Sequence, residues 1–194
     1  MIALMAVAVP ARAQTAAGGF AHTVILKSDG TVWTVGINST GQLGDGTTTT
    51  RRTPVTVSGV SDIVAVAAGG NHSMAITSNG SLYLWGANGN GQLGDASTTT
   101  RTSPVQSALT NVVAIAAGDS HSLALRSNGD IYAWGLNGNG QLGTGNTTQQ
   151  TSPVLVATGG AAVAAGAIHS VFVKSDGTVY ATGHNQYGQL GDNS

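Results

Sequence analysis

The sequence predicts an all-β protein built from four copies of one blade, and three observations carry that prediction. First, the segment His72 to Gly94, HSMAITSNGSLYLWGANGNGQLG, returns at His121 to Gly143 with 16 of 23 positions identical. Second, looser copies run from His22 to Gly44 and from His169 to Gly191. The four histidines are 50, 49 and 48 residues apart, as are the GQLG tetrads at Gly41, Gly91, Gly140 and Gly188. Third, Asp29-Gly30, Asn79-Gly80, Asn128-Gly129 and Asp176-Gly177 fall at one phase of the repeat. Asn-Gly and Asp-Gly favour the positive φ angles that tight hairpins need. A period of about 50 residues belongs to propellers or solenoids.

Composition narrows the classes. Hydrophobic residues make up 41% of the 194-residue chain, enough for a packed core. Charged residues are only 8%, against roughly 25% in ordinary soluble domains. Glutamate is absent, and Gly, Thr, Ser and Asn take its place, as many tight turns require. A net charge of −1 argues against nucleic-acid binding, which usually needs a basic patch. With no cysteine, disulfides and thiolate metal sites are excluded.

Along the chain, Met1 to Val9 is apolar and is followed by Pro10 and Ala11-Arg12-Ala13. An apolar segment ending in A-x-A is the pattern of a signal peptide over residues 1–13. It lacks a basic start, and it is too short to span a bilayer, which takes about 20 residues. No membrane insertion is expected. Residues 14–194 then divide into repeats of about 14–54, 55–104, 105–153 and 154–194.

Each repeat reads as four short strands. In the second copy these are Ile63 to Ala68, His72 to Thr77, Ser81 to Trp85, and a strand opened by Pro104-Val105-Gln106 after a long polar loop from Gly86 to Ser103. Val24/Leu26, Met74/Ile76, Leu123/Leu125 and Val171/Val173 share one face, and Ile25, Ala75, Ala124 and Phe172 share the other. A sheet apolar on both faces must be covered on both, which packing between two other blades achieves. The small residues of Ile63 to Ala68 suit a crowded inner strand. Pro54, Pro104 and Pro153 suit an outer edge, where no ladder donor is lost.

With these residues in view, the chain resembles the regulator-of-chromosome-condensation repeat family. The carrying motif is a glycine pair or near-pair, His-Ser, then S-[ND]-G-x-[LVI]-[YW]-x-[WVT]-G-x-N-x-x-G-Q-L-G, over roughly residues 16–194. The resemblance implies a β-propeller, typically of seven blades, of which four are present here in partial, open form. The repeat positions His22, His72, His121 and His169, Gly30, Gly80, Gly129 and Gly177, and Gly44, Gly94, Gly143 and Gly191 are read as structural.

Chemical readings of the motifs are weak. Gly89 to Gly94 matches G-x-G-x-x-G, but no helix pattern follows to hold a pyrophosphate. Histidines at equivalent positions of successive blades spread along an arc rather than converging on a metal, and each is expected to bond neighbouring loop backbone. His184 stands alone in its loop. The eight Asp sit mostly in turns, where they serve their own backbone. No catalytic, metal or cofactor site is assigned. The Thr-rich loops differ between copies and carry Arg51, Arg52, Arg101, Gln149 and Gln150, the candidate partner-facing residues.

The expected function is therefore a non-enzymatic, exported binding module with an unknown protein or surface-polymer partner. The family contains secreted β-lactamase-inhibitor propellers, which makes inhibition of an extracellular protein one form of it. The family also contains a nuclear exchange factor for a small GTPase, which would place the chain inside the cell. A propeller polysaccharide-active enzyme is the third alternative. An open arc is also expected to self-associate through its edges.

Overall fold

The computed structural model describes residues 15–193, so the expected leader over residues 1–13 lies outside the described residues. Among those residues every regular element is a strand. Blade 1 comprises β1 (Thr15–Gly18), β2 (His22–Leu26), β3 (Val32–Gly36) and β4 (Arg51–Thr56). Blade 2 comprises β5 (Ile63–Ala68), β6 (His72–Thr77), β7 (Leu82–Gly86) and β8 (Arg101–Gln106). Blade 3 follows with β9 (Val112–Ala117), β10 (His121–Arg126), β11 (Ile131–Gly135) and β12 (Gln150–Ala157). Blade 4 has three strands, β13 (Gly160–Ala165), β14 (His169–Lys174) and β15 (Val179–Gly183).

Every sheet is an antiparallel meander in chain order. Inner strands touch successively, β1 to β5, β5 to β9 and β9 to β13. Their Ala and Gly side chains let the backbones approach, and bonds such as Asp119 N–H to Ala167 C=O at 2.9 Å join their ends. The four strand ends border a hollow of about 270 Å³. Outer strands β4, β8 and β12 lie at the rim. The result is a four-blade arc of a β-propeller.

The core lies between blades. One face of β6 and β7 (Met74, Ile76, Leu82, Leu84) packs with Leu93 on Val112, Ala124 and Trp134 of blade 3. Equivalent clusters join blade 1 to blade 2 and blade 3 to blade 4. We call the face carrying the Met74/Ile76 phase the docking face, and the face carrying the Ala75 phase the receiving face.

Two local expectations change. In the hairpins only the glycine is left-handed: Gly30, Gly80, Gly129 and Gly177 have φ of 81°, 80°, 86° and 86°. The preceding Asp or Asn stays at negative φ and accepts a hydrogen bond two residues on, as Asp29 Oδ1 does from Thr31 N–H at 2.9 Å. The turn is a three-residue loop, Ser78-Asn79-Gly80 in blade 2, closed by a glycine bulge. The outer strands also begin earlier than Pro104 suggests. Arg101 pairs with Gly86 and Val105 with Leu84, and the register shift between them accommodates the proline.

Candidate interaction surface

The motif residues converge on the seams between blades. The GQLG loop of each blade reaches onto the receiving face of the next. Gln42 C=O accepts from Ser73 Oγ–H and Trp85 Nε1–H, both at 2.9 Å. Gln92 C=O accepts from Ser122 Oγ–H and Trp134 Nε1–H, both at 2.8 Å. At the third seam Ser170 Oγ–H donates to Gln141 C=O at 2.7 Å, and Thr182 Oγ1–H, at the tryptophan phase, to Gly140 C=O at 2.8 Å.

Because each serine gives its proton to the glutamine carbonyl, it can only accept from the histidine of the preceding blade. His22, His72 and His121 Nε2 lie 2.9 Å from Ser73, Ser122 and Ser170 Oγ. Their neutral form is therefore Nε2–H. The partner is a side chain of the next blade, not the neighbouring loop backbone expected from the sequence. Their Nδ1 atoms are buried and make no hydrogen bond among the described residues. Burial pushes His22 and His121 down to about 4 and His72 to about 3, with the two flanking imidazoles pushing His72 the same way. Among the described residues no three His, Cys, Asp or Glu side chains group to hold a metal ion.

Glycine is required where the loop meets the indole. Gly94 has φ of 67°, and a Cβ there would lie 2.8 Å from Trp134 Nε1. Gly44, Gly143 and Gly191 share the left-handed backbone.

A second device escaped the sequence reading. The buried Asn88 accepts Leu93 N–H at 2.9 Å on Oδ1. Its Nδ2 donates to Asp95 Oδ1 at 2.9 Å and to the carbonyls of Ser97 and Thr99 at 3.1 Å. Asn38 does the same, and so does Asn137 with Thr144 Oγ1 in place of the carboxylate. The signal was present, since Asn recurs at 38, 88, 137 and 185. This clasp folds the Thr-rich segment onto its own blade. It also places two candidate arginines: Arg51 opens β4 and pairs with Asp45, and Arg101 opens β8 and pairs with Asp95, each at 2.7 Å. Burial would raise the two Asp carboxyls, but hydrogen bonds from Thr47 and Arg51, and from Ser97 and Arg101, outweigh it and hold both below the ordinary value. Arg52 and Gln149 are exposed, and Gln150 opens β12 half-buried. His184 has a partner: its Nδ1 lies 2.9 Å from Gln189 Nε2.

The variable residues gather on one face. Ile37, Ala87, Leu136 and His184 begin the glycine-rich loops, and their N–H groups bond Ala21, Asn71, Ser120 and Ile168 C=O just before each repeat histidine. Phe20, Gly70, Asp119 and Ala167 sit one residue further back, around the hollow. Unlike the seam positions, these phases share no residue type among the copies. Phe20 and Tyr187 are 82% and 83% exposed, and Ile37 is exposed too. This loop face is where the repeat leaves side chains free to differ.

Fold and seams together define an arc of a β-propeller repeat protein. The chain belongs to the RCC1-like domain family, whose model matches residues 4–194. Among solved structures it is similar to yeast RCC1 (Prp20) bound to Kap60, at 30% identity and TM-score 0.77, covering 88% of this chain and 43% of that one. It is similar to Saccharomyces cerevisiae Prp20p, described with its binding to Gsp1p and histones, at 27% identity and TM-score 0.80, covering 93% and 47%. Human WBSCR16 shares the fold at 24% identity and TM-score 0.80, covering 87% and 46%. The chain thus spans under half the length of these solved relatives. No curated protein matches it.

Proposed function

We propose that the chain is a non-enzymatic protein-interaction module that presents its loop face to another protein, and that it is exported. The observation that carries this reading is the division of labour among repeat positions. Seam residues recur from copy to copy, whereas Phe20, Ile37, Asp119, Leu136 and Tyr187 differ from their counterparts and lie together on one face. Variable side chains on a rigid frame are the usual means of recognition. The yeast relative is described with protein partners, which favours a protein over a polymer. Export rests on the apolar run ending in Ala11-Arg12-Ala13, and a mature N-terminus at Gln14 is the result that supports it. The family match beginning at residue 4 stands on the other side.

The test is comparative retention. Immobilised wild-type chain and the triple variant Phe20→Ser, Ile37→Ser, Tyr187→Ser are exposed to the same secreted-protein fraction. Proteins held by the wild type and lost from the variant are expected, and identical retention by both overturns the loop-face reading. The exchange-factor reading is favoured by the 30% identity to yeast RCC1 (Prp20). Accelerated release of labelled GDP from a small GTPase would select it.

A further inference from the structure

We infer that a pocket of about 190 Å³ at the hairpin end of blade 2 is a binding site for an arginine side chain of a partner polypeptide. It lies at the end of the strands opposite the loop face, so this inference does not rest on the proposed function. The loop before β5 forms one wall, with Ser61 and Asp62, and the β6–β7 hairpin forms the other, with Thr77, Asn79 and Tyr83. Blade 2 is flanked by blades 1 and 3, and all the lining comes from residues 59–83.

The other repeats show what this position carries. Lys27, Thr77, Arg126 and Lys174 stand at one phase, each five residues after its repeat histidine. Lys27 Nζ lies 3.7 Å from the Trp33 ring, and Lys174 Nζ lies 5.1 Å from the Tyr180 ring. Arg126 Nε donates to the Thr110 carbonyl at 2.9 Å. Three blades thus set a cation of their own here, and blade 2 has a threonine. Blades 2 and 3 are otherwise built alike at this end. Asp62 and Asn111 share a left-handed backbone, with φ of 55° and 56°. Their carbonyls accept from Ser78 and Ser127 N–H, both at 2.9 Å. Ser61 therefore stands where Thr110 receives the guanidinium. Two exchanges separate the copies, and they are complementary in charge. Thr77 replaces the guanidinium of Arg126, and the carboxylate of Asp62 replaces the amide of Asn111. Asp62 is exposed and takes part in neither ion pair found among the described residues.

An arginine from outside restores to blade 2 what blade 3 holds within itself. Its planar fork can donate to the Ser61 carbonyl and the Asp62 carboxylate together. Its flat face can lie on the Tyr83 ring, at the phase where Trp33 and Tyr180 face their lysines. A lysine ammonium lacks that fork. None of the lining residues is basic, so no cationic side chain is at hand for the α-carboxylate of a free amino acid. The source is therefore a side chain carried on a polypeptide.

The experiment titrates the isotope-labelled 194-residue chain with N-acetyl-arginine amide and follows the backbone amide shifts by NMR. Saturable shifts centred on residues 59–62 and 77–83 are expected, and none with the neutral citrulline analogue. Thr77→Arg supplies the cation from within, as Arg126 does, and is expected to abolish the shifts. Asp62→Asn removes the charge while keeping a residue that accepts positive φ, and is expected to weaken binding about fivefold. Each substitution installs the residue that blade 3 already carries at that phase, and unchanged amide shifts away from the pocket verify that each variant folds. A wild type without shifts at these residues overturns the inference. So do shifts that survive Thr77→Arg, or a citrulline analogue that binds as well as the arginine one. Free arginine binding more tightly than its blocked amide overturns the polypeptide source.

Discussion

At the residue scale, the serine of the repeat is the hinge of the chemistry. Ser122 accepts from His72 of the preceding blade and donates to the Gln92 carbonyl of that same blade, so its removal strands the buried His72 Nε2–H and leaves the carbonyl with the Trp134 indole as its donor. Ser122→Ala is expected to cost about 1–3 kcal/mol, read as a fall in the urea midpoint. An exposed loop substitution such as Thr147→Ala should leave that midpoint nearly unchanged. The histidines give stability a pH dependence whose sign follows from their neutrality. The unfolded chain takes up protons as pH falls through 6.5, while the folded chain resists until about 4 for His22 and His121 and about 3 for His72. Stability is therefore lost on acidification through that window, by about 1.4 kcal/mol per pH unit for each histidine and roughly 4 for the three. Urea melts at pH 7 and pH 5 measure this slope, and His72→Gln should reduce it by about a third. Asp45 and Asp95 act lower, since their contribution is complete above the ordinary carboxylate value of 3.8 and disappears only as pH falls through their depressed folded values.

At the scale of elements, the glycine-rich loop contains positions of opposite character. Gly94→Ala forces a side chain into left-handed backbone and against Trp134, and should cost about 2–4 kcal/mol. Gly138, where a Cβ would meet nothing within 4 Å, should accept alanine with no change in the urea midpoint. The strands were legible in the sequence to different degrees. β2, β6, β10 and β14 announce themselves through alternation bounded by turn residues, a local signal. The start of β8 does not, because Arg101 to Ser103 carry no apolar residue and are strand only through pairing with Gly86 across a bulge. The same distinction explains the site. Recurrence marked the histidines and glycines as structural, but the partners of the histidines lie in another blade and those of Asn88 across a loop. The His72–Ser122 contact bridges 50 residues and emerges only once the blades are stacked. The ion pair of Arg101 was hidden for a related reason: a cation in a polar loop looks free until Asn88 folds that loop back and presents Asp95 to Arg101.

At the scale of the whole molecule, stability should grade along the arc. Blades 2 and 3 are covered on both faces. Blade 4 has three strands and leaves Val179 and Tyr180 exposed. In repeat arrays each unit is held by its neighbours, so opening begins where a neighbour is lacking. Hydrogen exchange read by mass spectrometry should show β6, β7, β10 and β11 as the slowest strands and β15 as faster, and uniform protection would contradict this. The seams also bear on how such an array changes in copy number. One repeat carries both the socket that receives the preceding loop and the plug that enters the next: Ser73 and Trp85 face backward along the chain, and Gln92 faces forward. A duplication that copies one full period inserts a socket and a plug together, and every junction in the lengthened array is complete. Excision of a full period heals in the same way. A cut that separates socket from plug leaves a buried imidazole facing nothing. Units of this kind can be gained or lost by simple recombination without redesign of their neighbours, and the 16 of 23 positions shared by the second and third repeats are what an event of that sort would leave behind.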